Sequence, residues 1–157
     1  MQIVQTLDES AIKAVVTHPA IWPHVSDDSC DLETYTPPLV GFIWLEVVDE
    51  QSLGMYLVHP HNCVTYEIHT CLLPIAWGGK ARQAGKLVLD WIFANTNCQK
   101  VVTQVPQTNA LALRYAKRCG MVVEGNNRQS YLKNGQLLDM TQLGITKKEH
   151  TCQQQYQ

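Results

Sequence analysis

A change of hydrophobic period near residue 80 restricts the possible folds more than any other feature of the sequence. Residues 64–73 are rich in β-branched and aromatic side chains and predict a strand that Pro74 should end. Residues 81–94 then predict a helix, whose apolar positions are Ala84, Leu87, Val88, Trp91 and Ile92. Residues 100–105 alternate as another strand. A strand–helix–strand crossover of this kind favours two parallel strands with the helix packed against their sheet.

Shorter elements precede this unit. Residues 8–10 form a capped start for a helix that Pro19 should end. Residues 20–38 contain several prolines and acidic residues and indicate a loop with at most one helical turn. Residues 40–48 and 55–58 predict two strands, and the residues between them predict a turn.

The C-terminal third predicts a helix and a hairpin. Asn109 opens the helix and Gly120 supplies its left-handed end. Strands over residues 128–133 and 137–143 are joined by Asn134-Gly135, the strongest short-range signal for a hairpin. The order of elements predicts an α/β protein with a mixed, mostly antiparallel sheet, a central parallel strand pair and helices on both faces.

Composition limits the classes of function. The chain has 157 residues, 45% of them hydrophobic and 17% charged, which predicts one globular domain over residues 1–148 and a polar tail at 149–157 that should fray. A net charge of -2 argues against generic nucleic-acid binding. The sequence shows no membrane-length apolar stretch and no signal peptide, and its six cysteines include no C-x-x-C pair. We therefore expect a cytoplasmic protein with reduced thiols and no membrane partner.

A set of spaced residues in the second half resembles a known superfamily. The motifs are Asn109-Ala110-Leu111-Ala112, Gly120-Met121, Glu124-Gly125-x-x-Arg128 and Asn134-Gly135-x-x-x-Asp139. Together they resemble the C-terminal half of the ribosomal-protein N-terminal acetyltransferases, which are GNAT acyl-CoA N-acyltransferases. The sequence is also similar to small GNAT-like proteins encoded by tailed phages. The resemblance covers roughly residues 40–145.

This resemblance implies a site for acetyl-CoA as cosubstrate, with no metal. In the superfamily two parallel strands, here residues 64–73 and 100–105, splay apart, and the pantetheine arm pairs with the exposed edge. The pyrophosphate lies at the start of the following helix, where free N–H groups favour negative charge. The cofactor-binding residues expected from this correspondence are Leu72, Leu73, Gly78, Gly79, Lys80, Ala81, Arg82 and Asn109.

The phosphate loop departs from the superfamily's Arg/Gln-x-x-Gly-x-Gly/Ala pattern. Trp77 stands first, and Lys80 and Arg82 stand where glycine or a small residue is expected. The two basic side chains either neutralise phosphate or crowd the loop, and the sequence leaves both alternatives open. Asn109 is expected to contact the pantetheine arm, and an ordinary helix N-cap role is compatible with that contact.

Two residues of the central strand are candidates for acid–base chemistry. Glu67 matches the position of the general base in some GNAT enzymes, and His69 points the same way two residues later. The structural alternatives are a carboxylate and a hydrogen-bonded histidine on the polar face of a strand. In the superfamily a tyrosine acts as the general acid that protonates the leaving thiolate, and its position corresponds to Ala116 here. The neighbouring Tyr115 is turned about 100° around the helix and should join the core instead. Tyr131, in the hairpin, is only a distant substitute.

Two further clusters have simpler alternatives. His59, His61 and Cys63, with His69 and Cys71 beyond them, suggest a metal site in which His61 and Cys63 share a face. No structural-zinc spacing is present, so we expect a turn with polar tips and no metal. Asp27-Asp28 lies in the segment that would cover the acceptor, where it would favour a cationic amine. The alternative for that pair is a solvated loop.

The sequence supports one leading function. We expect an N-acetyltransferase that moves acetyl from acetyl-CoA to a primary amine of unknown identity in a ternary complex. The alternative is a catalytically inactive GNAT-shaped protein with an assembly or interaction role, as a homodimer or with partners in a phage virion, located in the host cytoplasm or virion. A weaker third interpretation is a peptide- or ligand-binding module that uses the splayed strands without CoA.

Overall fold

The structure, a computed structural model, describes residues 1–155. Its seven strands are β1 (Gln2–Thr6), β2 (Ile43–Asp49), β3 (Gln51–Pro60), β4 (Thr65–Leu72), β5 (Lys100–Pro106), β6 (Val122–Lys133) and β7 (Gln136–Thr146). Its five α-helices are α1 (Glu9–Val16), α2 (Trp22–Val25), α3 (Gly79–Asn95), α4 (Ala110–Arg118) and α5 (Lys147–Gln155). A single 3₁₀ turn, Pro74–Ala76, links β4 to α3.

All seven strands join one sheet in the order β1-β2-β3-β4-β5-β7-β6. Only β4 and β5 are parallel, because α3 carries the chain back across the sheet between them. Every other neighbouring pair is antiparallel. The predicted α/β class, with a mostly antiparallel sheet and a central parallel pair, is confirmed.

Local sequence signals account for the element ends. The Asp8 side chain accepts a hydrogen bond from Ala11 N–H and caps α1. Asn109 caps α4 in the same way, through Ala112 N–H. Asn134 and Gly135 both have positive φ, 52° and 72°, as a two-residue type I′ hairpin turn requires.

Helices cover both faces of the sheet. The larger core packs α3 and α4 against one face, and Tyr56, Ile68 and Leu72 point into it. The smaller core packs α1 against the opposite face, where Met55 and Cys71 point. Because side chains alternate along a strand, β4 therefore presents Glu67 and His69 on the α1 face.

Besides β6, which begins at Val122 rather than residue 128, three parts of the fold differ from the sequence predictions. The first helix is preceded by β1, whose five residues, Gln-Ile-Val-Gln-Thr, do not alternate apolar and polar side chains and so give no strand signal. β3 begins at Gln51 rather than residue 55, because the turn after β2 consists of Glu50 alone, which adopts a φ of 64°.

The third difference is the tail, which was expected to fray over residues 149–157. It forms α5 as far as Gln155, and residues 156–157 lie outside the described part. Helix packing accounts for the difference, because His150 is buried with its Nε2 2.6 Å from Asp90 Oδ1 on α3. The prediction of a single domain over residues 1–148 stays a prediction. Among the described residues, no helix combines the length and apolar character that crossing a membrane requires.

Candidate active site

A slot opens between β4 and β5. The two strands pair only at Thr65–Lys100, Tyr66–Val101 and Glu67–Val102. Beyond these pairs β4 continues to Leu72 and β5 to Pro106, and each keeps its pairing with its outer neighbour, β3 or β7. The facing edges of the two strands are therefore unpaired beyond Glu67 and Val102, as the resemblance implies for a splayed pair. We call the space between residues 68–72 and 103–106 the slot.

The backbone of β4 faces the slot at alternate residues. Leu73 N–H donates to Leu53 C=O at 3.0 Å, and its own carbonyl accepts from Ala76 N–H. Since bonded and non-bonded positions alternate along an antiparallel pair, the backbone groups of Ile68, Thr70 and Leu72 point away from β3 and toward the slot. Of the two leucines predicted to meet cofactor, Leu72 is therefore the one whose backbone faces the slot.

The Trp77 side chain lies at the end of the slot. Its indole Nε1–H donates to Leu72 C=O at 3.0 Å, and 55% of the residue is exposed. The indole therefore satisfies the last slot-facing carbonyl of β4, that of Leu72. The carbonyls and N–H groups of Ile68 and Thr70 lie before that contact.

The start of α3 presents free backbone donors next to the slot. Gly78 has a φ of 91°, which bends the chain sharply before the helix begins at Gly79. Within residues 1–155 no side chain caps this end, and a Cβ placed on either glycine would meet nothing within 4 Å. The first N–H groups of a helix lack intrahelical partners and favour an anion. Gly78, Gly79 and Ala81 lie at this helix start, and their contact with the phosphates of a cofactor stays a prediction.

The two basic residues of this loop point to different places. Lys80 Nζ lies 2.9 Å from Asp49 Oδ2, at the edge of the sheet. Arg82 lines a cavity of about 250 Å³ between α3, α4 and α5, which Lys86 and Arg118 also line. Neither side chain is placed inside the slot. Of the two alternatives for these residues, the geometry therefore favours positive charge near the loop over steric crowding of the loop.

Glu67 lies where the parallel pairing ends, beneath three histidines. It is 7% exposed, and its Oε2 is 2.5 Å from His61 Nε2. His59 Nε2 is 3.9 Å from the same oxygen, and His69 Nε2 is 3.8 Å from Oε1. The two residues predicted for chemistry, Glu67 and His69, are thus brought together. The sequence grouped His59 and His61 with His69 as a metal alternative, but it did not predict their contact with Glu67.

The surroundings of His69 favour its neutral form. Burial against the protein is the largest influence and lowers the pKa of His69 below its ordinary 6.5. The charge of Glu67 acts in the opposite direction, while His59 and His61 add to the lowering. A neutral imidazole has a lone pair that can accept a proton.

The hydroxyl groups of Tyr115 and Tyr131 form hydrogen bonds with residues outside the slot. Tyr115 packs in the core, as its helical position predicts, and its Oη is 2.5 Å from Tyr56 Oη. Burial raises the pKa of Tyr115 well above its ordinary 10.0. Tyr131 Oη–H donates to Ser26 C=O at 2.6 Å, which joins the β6–β7 hairpin to the segment after α2.

The acidic pair has structural partners. Asp27 Oδ1 accepts from both N–H and Oγ–H of Ser29. The Asp28 carboxylate accepts the backbone N–H groups of Asn134 and Gly135, at 2.7 Å each. The pair therefore anchors the loop and the hairpin turn, which favours the structural alternative over an acceptor-binding role.

Comparisons with known proteins agree with this architecture. Spermidine N-acetyltransferase from Vibrio cholerae, in complex with CoA and spermine, superimposes with a TM-score of 0.72 at 18% identity, over 96% of this chain and 98% of that one. A point mutant of the same protein gives a TM-score of 0.67 at 22% identity, over 73% and 71% of the two chains. Its dodecameric structure in an intermediate state gives 0.63 at 23%, over 71% and 68%.

These likenesses show the GNAT fold, as the sequence resemblance predicted. The narrower similarity to ribosomal-protein and phage-encoded relatives stays a prediction. No curated protein matches the chain. One family profile matches residues 7–156, nearly the whole length, so the chain belongs to the family described as "Protein of unknown function (DUF2824)".

Proposed function

We propose that this protein is an N-acetyltransferase that transfers acetyl from acetyl-CoA directly to a primary amine. The slot carries the proposal, because it exposes unpaired β4 backbone next to an uncapped helix start. A pantetheine arm offers amides that can pair with such an edge as an added strand would. The structural neighbours add support, since their names describe acetyl transfer to spermidine and one of them holds CoA.

Each part of the cosubstrate has a matching part of the site. The pantetheine amides would pair with backbone of Ile68 and Thr70, and the pyrophosphate would lie against the N–H groups that begin at Gly79. Asn109 follows β5, where its amide would reach the arm while its Oδ1 still caps α4. The basic cavity lined by Arg82 would add positive charge near the phosphates.

The reaction needs one proton acceptor. The amine lone pair attacks the thioester carbonyl, a C–N bond forms, and the C–S bond breaks to release CoA thiolate. The amine loses a proton to Glu67, either directly or through the adjacent histidines, and the thiolate takes a proton from water. Tyr115 is not assigned the acid role, because its hydroxyl is committed to Tyr56.

Calorimetric titration with acetyl-CoA tests the proposal. The Gly79→Pro variant should weaken binding, because proline is tolerated at the first helical position but removes one N–H. The matched control is Glu9→Pro, the same change at the first residue of α1, which should bind normally. No binding by the unaltered protein at millimolar acetyl-CoA would refute the transferase and favour the assembly alternative.

A second experiment addresses Glu67. The Glu67→Gln variant should bind acetyl-CoA normally and acetylate a panel of primary amines, polyamines included, about 10²- to 10⁴-fold more slowly. Unchanged turnover would remove Glu67 from the mechanism while leaving the slot in place.

A further inference from the structure

Three imidazoles and one carboxylate lie close together on the face of the sheet that α1 covers. One ring nitrogen each of His59 and His61 and one carboxylate oxygen of Glu67 lie within 4.8 Å of one another. His69 Nε2 lies 3.3 Å from His59 Nε2 and 3.8 Å from Glu67 Oε1. These groups are all metal ligands when the imidazoles are neutral and the carboxylate is ionised.

The backbone holds this arrangement in place. His59 and Glu67 are directly opposite each other in the β3–β4 ladder, and His69 follows Glu67 by two residues on the same face. His61 lies in the connecting turn, where its N–H donates to Thr65 C=O at 2.8 Å. The Asn62 carboxamide oxygen accepts the N–H groups of residues 64 and 65, which fixes the same turn.

The side chains are also held from the sides. The His59 ring stacks on the His69 ring at a centroid distance of 5.4 Å and an interplanar angle of 13°. Phe42 also contacts His59, with ring centroids 5.2 Å apart. Such packing limits the rotation of the imidazoles, which lowers the entropic cost of binding a metal.

We propose that His59, His61 and Glu67 form a binding site for a divalent transition metal of the zinc class, with His69 beside the fourth position. Zinc takes imidazole nitrogen and carboxylate oxygen at about 2.0–2.2 Å, which places tetrahedral ligands about 3.3 Å apart. The His61–Glu67 separation of 2.5 Å would lengthen and the His59–Glu67 separation of 3.9 Å would shorten, each by less than about 1 Å. Rotation about side-chain bonds supplies such movements without a change of fold.

The proposal departs from the expectation from the sequence, which placed His61 and Cys63 on one face and expected no metal. Cys63 is exposed in the turn and is absent from the ligand group within residues 1–155. The cross-strand register, which is not visible in the sequence, brings His59 and Glu67 to His61 instead.

Zinc titration of the metal-free protein tests the site without acetyl-CoA, so its result does not depend on cosubstrate binding. Because this site rests on the same Glu67 as the proposed proton transfer, bound Zn²⁺ should inhibit any acetyl transfer that uses Glu67 as the proton acceptor. One Zn²⁺ should bind per chain by calorimetry, and Co²⁺ should bind with visible absorption bands of a low-coordinate site. Mg²⁺ should give no binding, because it prefers an all-oxygen shell.

Ligand variants make the test specific. His61→Ala and His59→Ala should each weaken zinc binding by more than about 100-fold, the upper end of the effect of outer-shell changes. Cys63→Ser is the matched control, two residues from His61 in the same turn, and should bind zinc normally. Zinc binding that is absent from the unaltered protein, or equal in the histidine variants, would overturn the proposal.

Discussion

Replacing Tyr115 with phenylalanine should destabilise the protein more than replacing Tyr56. The two hydroxyls are 2.5 Å apart, and Tyr56 is 1% exposed. Within the described residues Tyr115 is the hydrogen-bond partner of the Tyr56 hydroxyl. The Tyr115 side chain is only half-buried, and its hydroxyl lies close to the Cys119 thiol. Tyr115→Phe therefore leaves the buried Tyr56 hydroxyl without a hydrogen-bond partner. Tyr56→Phe, in contrast, leaves the Tyr115 hydroxyl beside the Cys119 thiol.

The magnitudes follow from the cost of an unpaired buried polar group. Tyr115→Phe should lower the free energy of unfolding by about 1–3 kcal/mol. Tyr56→Phe should cost about 1 kcal/mol, near the value of one ordinary hydrogen bond. The double variant should cost less than the sum of the two, because it removes both partners of the bond together. For a chain of this size, 1 kcal/mol corresponds to about 2–4 °C in Tm.

Urea unfolding followed by circular dichroism on the four proteins measures these differences. Acetyl-CoA affinity should be the same in all four, because neither hydroxyl is assigned to the slot. The reasoning is refuted if Tyr56→Phe costs more than Tyr115→Phe, or if Tyr115→Phe keeps full stability. A loss of turnover at full stability would instead assign Tyr115 the role of general acid.

Three further predictions concern other contacts. Asn109→Ser should keep the cap on α4 and the Tm but lower acetyl-CoA affinity, whereas Asn109→Ala should also lose about 1 kcal/mol of stability by thermal unfolding. The hydrogen bonds from Lys80 and then the Met1 amino group lower the pKa of Asp49 below its ordinary 3.8. The unaltered protein should therefore exceed Asp49→Asn in stability well above pH 3.8, and that advantage should vanish in unfolding curves as pH falls through the lower pKa of the folded state. His150→Ala should cost about 1–3 kcal/mol in urea unfolding, since it removes the buried partner of Asp90; an unchanged midpoint would mean that α5 packs without this contact.

The sequence predicted best those elements that local chemistry specifies. The cap at Asn109, the helix end at Gly120 and the turn at Asn134-Gly135 depend on residues within a few positions of one another. The parallel pair was predictable because a change of period from two to 3.6 and back allows few topologies.

Elements that depend on distant partners were not predictable in the same way. α5 has little apolar character, and its order comes from contacts such as His150 with Asp90, 60 residues away. The histidine cluster depends on the register of β3 with β4, since a shift of one residue would turn His59 to the other face.

The edge and the face of β4 divide the site into two parts. Backbone N–H and C=O groups of a strand lie in the plane of the sheet, whereas side chains project above and below it. The proposed cofactor contacts therefore use the edge of β4 at Ile68 and Thr70, and the proposed proton transfer and metal binding use the face of β4 that carries Glu67 and His69. Under these proposals, substitutions on that face should change acid–base or metal chemistry while leaving the edge intact. For the same reason side-chain motifs could indicate Glu67, but only the end of the β4–β5 pairing at Glu67 and Val102 reveals that the slot is open.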